Sequence, residues 1–232
     1  MDIFEKKEPY KTDFCKAVIF DMDGTLVDST KADFLAWRKL FSHYDRELTF
    51  QDYIPLLGIK SAQVVKDFLP VKNDEEVQFA LTKKLVFFHE IISENGIYPV
   101  PFADIFLKQI KQYDVPVALA TSSRRAKMEM VMEKLNLLIY FDTVVTGGDV
   151  KNGKPAPDIF LKAAEKLEVS PADCIVFEDA ANGVKAAKNA SMKCVAYAGN
   201  ERVDLLEEAD LIIDTFENLS FQDICFQLSE NL

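Results

Sequence analysis

Lys16-Ala17-Val18-Ile19-Phe20-Asp21-Met22-Asp23-Gly24-Thr25-Leu26-Val27 is the stretch that decides how the rest of the chain is read. Residues 17–20 are apolar without alternation, which suits a short strand buried on both faces, as in a parallel sheet. Asp21 and Asp23 follow directly, at the strand end where open α/β sheets bind their ligands. Two carboxylates so close together are costly there unless a positive group sits between them. An exposed Asp-Gly turn would explain Asp23-Gly24 on its own. The apolar flanks on both sides, 17–20 and Leu26-Val27, weigh against that reading.

Further apolar runs of strand length lie at 115–120, 143–146, 174–177, 194–198 and 211–213. Amphipathic stretches at 102–113, 124–135, 157–167 and 180–189 separate most of them. Strands alternating with helices predict an α/β fold: a Rossmann-like parallel sheet with helices on both faces. The alternation fails between 29 and 96, where 31–44, 61–68 and 74–93 read as helices with apolar residues three and four apart. Pro99 and Pro101 mark the return. The predicted organisation is a discontinuous core domain, 1–28 and 97–232, with a small all-helical domain inserted at 29–96. No internal repeat or low-complexity tract is present.

Composition narrows the chemistry. Hydrophobic residues make up 49% of the 232, enough for a substantial core, and the net charge is −11. A surface this acidic, with no basic run, repels nucleic acid and anionic lipid. A phosphorylated ligand must therefore be drawn by a local cationic site, with a metal as helper. Cys15, Cys174, Cys194 and Cys225 show no CxxC spacing, and buried thiols in a reducing compartment fit them best. The polar, charged N-terminus does not read as a signal peptide, and no apolar run approaches the ~20 residues of a membrane helix. A cytoplasmic monomer is expected. Only His43 and His89 exist, too few for a Ser-His-Asp triad or a His-rich zinc site.

Three other strand ends carry polar clusters. Thr121-Ser122-Ser123 precedes a charged helix, where hydroxyls and helix-start N–H groups make an anion site, although Ser and Thr are also ordinary N-caps. Lys154 lies in Gly153-Lys154-Pro155-Ala156-Pro157-Asp158, where prolines stiffen the backbone. It is a candidate phosphate clamp rather than a loose surface charge. Glu178-Asp179 follows the run 174–177. Acids at a helix start also suit the macrodipole, which explains Asp179 better than it explains the pair. Carboxylates, hydroxyls and a lysine at four strand ends of one sheet suit Mg²⁺ and a phosphoryl group.

The order Asp21-x-Asp23-Gly24-Thr25, Thr121, Lys154-Pro155, Glu178-Asp179-Ala180-x-x-Gly183 resembles the haloacid dehalogenase superfamily over nearly the whole chain. Within it, Leu35-Ala36-Trp37, 154–160 and 176–179 are similar to the β-phosphoglucomutase and sugar-phosphatase group. The resemblance implies that Asp21 attacks phosphorus and forms an aspartyl-phosphate, while Asp23 protonates the leaving oxygen and then activates the acceptor. It implies Mg²⁺ held by Asp21, the Asp23 carbonyl and Asp179, with Glu178 as ligand or support. Thr121, Lys154 and the backbone near Met22 and Ser122 would hold the phosphoryl oxygens. The insertion would be a cap, hinged at Asp28-Ser29 and Tyr98-Pro99, closing over a small phosphorylated metabolite.

The mutases of this group carry a His in the first cap helix and an Arg after the cap's Gly-containing loop. Asp33 and Ser61 stand at those positions here, with Lys60 adjacent as a point charge. Hydrolysis of a sugar phosphate is therefore favoured, and β-phosphoglucomutase activity is the alternative. The relatives that act as dehalogenases usually lack the second Asp, which is present here. A receiver-type domain would be shorter, with its acceptor Asp after the third strand. No GxGxxG supports a dinucleotide site. Trp37 reads equally as a cap core aromatic or a substrate contact. His89 reads as structural, and Met128, Met130 and Met132 as helix filling.

Overall fold

The computed structural model describes residues 15–199 and 203–229. In chain order these form β1 (Ala17–Phe20), α1 (Thr30–His43), α2 (Phe50–Tyr53), α3 (Ser61–Phe68), α4 (Asp74–Asn95), α5 (Ala103–Lys111), β2 (Val117–Thr121), α6 (Arg125–Lys134), β3 (Thr143–Thr146), α7 (Asp158–Leu167), β4 (Cys174–Glu178), α8 (Ala181–Asn189), β5 (Lys193–Tyr197), β6 (Leu211–Ile213) and α9 (Phe221–Ser229). All six strands are parallel, in the order β3-β2-β1-β4-β5-β6. The connections run outward in opposite directions from β1 and β4. That switch point leaves a crevice beyond the strand C-termini. Phe20 pairs with Phe177, so the next residues along, Asp21 and Glu178, emerge side by side at the crevice.

Alternate residues of each strand enter opposite cores, because side chains on a strand have a period of two. Val18, Phe20, Leu119, Ile175 and Phe177 face one side, beneath α5, α6 and α9. There Phe20 stacks on Phe177 with centroids 4.8 Å apart, and Phe106 meets Phe177 edge-on at 5.3 Å. The other face is built from Ala17, Ala118, Ala120, Cys174, Cys194 and Ala196. These small side chains let α7 and α8 lie close to the sheet, with Phe160 filling the remaining space.

Helices α1 to α4, between β1 and β2, share a third apolar cluster around Trp37, Leu40, Phe41, Tyr53, Val65 and Leu81. Ala36, Phe88, Ile91 and Ile92 of α1 and α4 instead join the sheet-face core. Helix α4 starts where Asn73 accepts from the Glu76 N–H, with three acids in its first turn to complement the macrodipole. It ends at Gly96, whose φ of 80° suits a residue without Cβ. The two chain crossings into this helical segment lie side by side. Asp28 N–H donates to Tyr98 O at 3.0 Å, and Val100 N–H donates to Leu26 O at 2.9 Å.

Element bounds shift slightly from the sequence expectation. The run 115–120 forms a strand over Val117–Thr121, so Thr121 ends the strand rather than following it. The helix expected from 102 begins at Ala103, because Phe102 adopts a left-handed φ of 65°. Helices α2 and α9 are not anticipated. None of the four cysteines is in a disulfide, and all are buried. Among the described residues no helix is long and apolar enough to cross a membrane. The polar N-terminal stretch read for targeting lies, up to residue 14, outside the described residues.

Candidate active site

At the switch point the ammonium of Lys154 is wholly enclosed between two carboxylates. Its Nζ lies 2.5 Å from Asp21 Oδ1 and 2.5 Å from Glu178 Oε1. Glu178 has no oxygen to spare: its Oε2 accepts from the N–H groups of Asp179 at 2.7 Å and Ala180 at 2.8 Å. Asp179 Oδ1 accepts from Thr25 Oγ1 at 3.0 Å. Two glycines make this density possible. A Cβ on Gly24, which has φ 91°, would collide with the Asp179 carboxylate, and one on Gly183 would collide with Glu178.

Among the described residues, Lys154 joins two of these three buried carboxylates, Asp21 and Glu178. Burial pushes the Asp21 carboxyl up to about 7, against the pull of Lys154. Burial, with Glu178 and Asp21 nearby, drives Asp179 well above the usual carboxylate range. Burial would lower Lys154, but Asp21 and Glu178 outweigh it and hold the ammonium protonated. Buried carboxylates gathered this closely suit a hard divalent cation with oxygen ligands. Asp21, Asp179 and the Asp23 carbonyl are the donors on hand. Among the described residues no three His, Cys, Asp or Glu side chains form a ready cage, so protein donors alone do not complete a coordination shell.

Asp23 anchors a second network. Its Oδ1 accepts from Ser29 Oγ at 2.5 Å and from Lys127 Nζ at 2.7 Å, and its Oδ2 accepts from Ser123 Oγ at 2.6 Å. Lys127 also contacts Asp33 at 2.6 Å, and Lys84 reaches the same Asp33 oxygen at 2.8 Å. Tyr53 donates its hydroxyl to Asp33 Oδ2 at 3.1 Å. Burial alone would raise Asp33, but Lys127 and Lys84 together hold it far below its ordinary value. Lys84 also sits 4.3 Å from the Trp37 ring centroid, and Lys127 sits 4.6 Å from that of Phe88.

Asp21, Asp23, Asp33, Trp37, Thr121, Ser122, Glu178 and Asp179 all line one cavity of about 50 Å³, room for a few waters. Lys154 reaches it through Asp21. Ser61 lines it as well. Two of the expected residues have their side chains engaged elsewhere. Lys60 is outside the cavity lining; its Nζ donates to Val150 O at 2.8 Å and Lys151 O at 3.2 Å, because its stem lies over Gly153. The Ser122 hydroxyl faces the helical segment, donating to Gly58 O at 2.5 Å. Trp37 is buried in the α1–α4 cluster and also borders the cavity. His89 is exposed on α4.

Lys84, Lys127 and Tyr53 were not singled out from the sequence, and Ser123 was read there only as part of the hydroxyl cluster 121–123. For the lysines a signal existed. Lys84 falls on the buried stripe Val77, Ala80, Leu81, Phe88, Ile91 of α4, and Lys127 sits beside Met128, Val131 and Met132 on that of α6. A charge on an apolar helical stripe needs a buried partner.

The model of the haloacid dehalogenase-like hydrolase family matches residues 18–197. The chain is 33% identical over 180 residues to the fructose-1-phosphate phosphatase YqaB of Escherichia coli, covering 77% of this chain and 94% of the relative. It is 34% identical over 201 residues to a phosphorylated carbohydrates phosphatase of Thermotoga maritima, covering 83% and 90%. The crystal structure of β-phosphoglucomutase from Clostridium difficile superposes with a TM-score of 0.83 at 28% identity, over 94% of this chain and 98% of that one.

Proposed function

The chain belongs to the haloacid dehalogenase-like hydrolases, and from that membership we propose that it is a Mg²⁺-dependent phosphatase acting on a sugar phosphate through an aspartyl-phosphate. The observation that carries this reading is the pairing, on one turn, of Asp21, clamped by Lys154, with Asp23, held by the side chains of Ser29, Ser123 and Lys127. One carboxylate is placed to attack and the other to move a proton.

An Asp21 oxygen forms a bond to phosphorus as the bond to the ester oxygen breaks. Asp23 gives its proton to that leaving oxygen, releasing the alcohol. Asp23 then takes a proton from water, which attacks phosphorus, frees Asp21 and releases inorganic phosphate. Thr121 Oγ1, Lys154 Nζ and the N–H groups near Met22 and Ser122 hold the phosphoryl oxygens. Asp21, Asp179 and the Asp23 carbonyl would hold Mg²⁺, which would supply neutralising charge when bound. Glu178, with both oxygens engaged, fixes Lys154 and the start of α8. Residues 29–96 act as a cap over a core of 1–28 and 97–232, and they exclude bulk water from the cavity.

Water is favoured over a sugar hydroxyl as acceptor. A mutase must clamp the distal phosphate of a bisphosphate. Here Asp33 and Ser61 line the cavity, and its cap-side cation Lys84 is engaged by Asp33. The test is phosphate release from a panel of sugar phosphates with Mg²⁺ and with EDTA, beside conversion of β-glucose 1-phosphate to glucose 6-phosphate primed with the bisphosphate. Mg²⁺-dependent release that EDTA abolishes is expected. Primed isomerisation with negligible phosphate release would establish the mutase instead.

A further inference from the structure

Lys127 has no part in the reaction steps above, yet it is placed where they depend on it. It occupies the first turn of α6, where the helix macrodipole disfavours a cation, and its side chain is 7% exposed. Burying an ammonium there is costly unless it is well paired. The pairing comes from two carboxylates on different parts of the chain: Asp23 at 2.7 Å, on the turn after β1, and Asp33 at 2.6 Å, on the first turn of α1. Asp33 is held in turn by Lys84 of α4. The Asp23 carboxylate is thus fixed on both oxygens, by Ser29 and Lys127 on Oδ1 and by Ser123 on Oδ2. These three donors fix the orientation of the Asp23 side chain.

We propose that Lys127 is a positioning residue for proton transfer: it orients Asp23 and, through Asp33, makes that orientation depend on α1 and α4 being seated over the sheet. The inference rests on the phosphatase reading. It predicts a signature in leaving groups. An alkyl phosphate such as fructose 1-phosphate expels an alkoxide that needs a proton from Asp23. p-Nitrophenyl phosphate expels a stabilised phenolate that does not. The ratio kcat/KM reports the steps up to release of that group, whereas kcat also contains water attack, which needs Asp23 with either substrate.

The experiment compares wild type, Lys127→Met, Lys127→Gln, Lys127→Arg and Asp33→Asn on both substrates. Lys127→Met should lower kcat/KM about a hundredfold for fructose 1-phosphate but no more than about fivefold for p-nitrophenyl phosphate, with kcat lowered for both. Lys127→Gln should show the same split and covers a Met variant that does not fold. Lys127→Arg should recover activity to within about tenfold of wild type, and Asp33→Asn should fall between. Equal losses in kcat/KM on the two substrates, or no loss on either, would overturn the proposal. Wild-type protein that releases phosphate from neither substrate, or Asp21→Asn that retains turnover, would instead bring down the phosphatase reading and this inference with it.

Discussion

Lys154 has 0% side-chain exposure between Asp21 and Glu178. Removing it leaves buried carboxylates with no cation, a loss of about 3–5 kcal/mol for a broken buried pair. Lys154→Met should therefore be destabilised by roughly that amount in urea titration at neutral pH. The loss should shrink in acid, where the carboxyls are neutral. Burial has already pushed Asp21 up to about 7 in the metal-free chain, from 3.8. From about pH 4 to pH 7 the folded chain holds a proton that the unfolded chain has released, so stability falls as pH rises and the full penalty stands above 7. Mg²⁺ competes with that proton. It should raise the melting temperature more at about pH 8 than at about pH 5.5. Equal gains would mean that the ion does not sit on Asp21 and Asp179. Asp21 and Asp23, the proposed nucleophile and acid, drew notice in the sequence because they follow an apolar strand, and Lys154 because prolines stiffen its loop. The partners of Lys84 and Lys127 were not legible there, because pairing across α1, α4 and α6 is a property of packing rather than of spacing.

Helix α8 shows how one element serves several contacts. Its first turn supplies Gly183, whose missing Cβ leaves room for the Glu178 carboxylate, and Asn182, whose Nδ2 donates to Leu57 O at 2.9 Å. Gly183→Ala puts a methyl group where Glu178 lies. The displaced carboxylate must leave Lys154 or the Asp179 and Ala180 N–H groups. Overpacking of this kind costs about 1–3 kcal/mol, and turnover should drop at least about tenfold through misplaced Lys154. Thermal melting and steady-state rates check both. A variant with full activity would show that Glu178 can move without consequence. At this scale the strands were read well because buried parallel strands are continuous apolar runs, and α4 because its apolar residues recur three and four apart. Helix α2 is four residues long, too short to show a period, and the N-terminal bound of α5 is set by the left-handed Phe102, which no pattern of hydrophobicity reveals.

For the whole molecule, the question is how substrate enters a cavity of about 50 Å³. The segment 55–60 is fastened to the sheet side by Ser122 to Gly58 O at 2.5 Å, Asn182 to Leu57 O at 2.9 Å and Lys60 to Val150 O at 2.8 Å. The crossings at Asp28-Ser29 and Tyr98-Pro99 lie side by side; on the proposed reading of 29–96 as a hinged cap, rotation there would carry the segment as a unit and break these bonds together. A hydrogen bond of this kind contributes about 0.5–1.5 kcal/mol, which biases the closed state about twofold to tenfold. Lys60 touches neither Asp21 nor Asp23, so Lys60→Ala alters the closing equilibrium and leaves the chemistry in place. KM should rise about twofold to tenfold with kcat equal to or above wild type, since a cap that opens more readily releases product no more slowly. Small-angle scattering of the ligand-free variant should show a larger radius of gyration, restored by a bound phosphate analogue. A fall in kcat at constant KM would place Lys60 in the chemistry after all and remove the basis for treating 29–96 as a hinged cap.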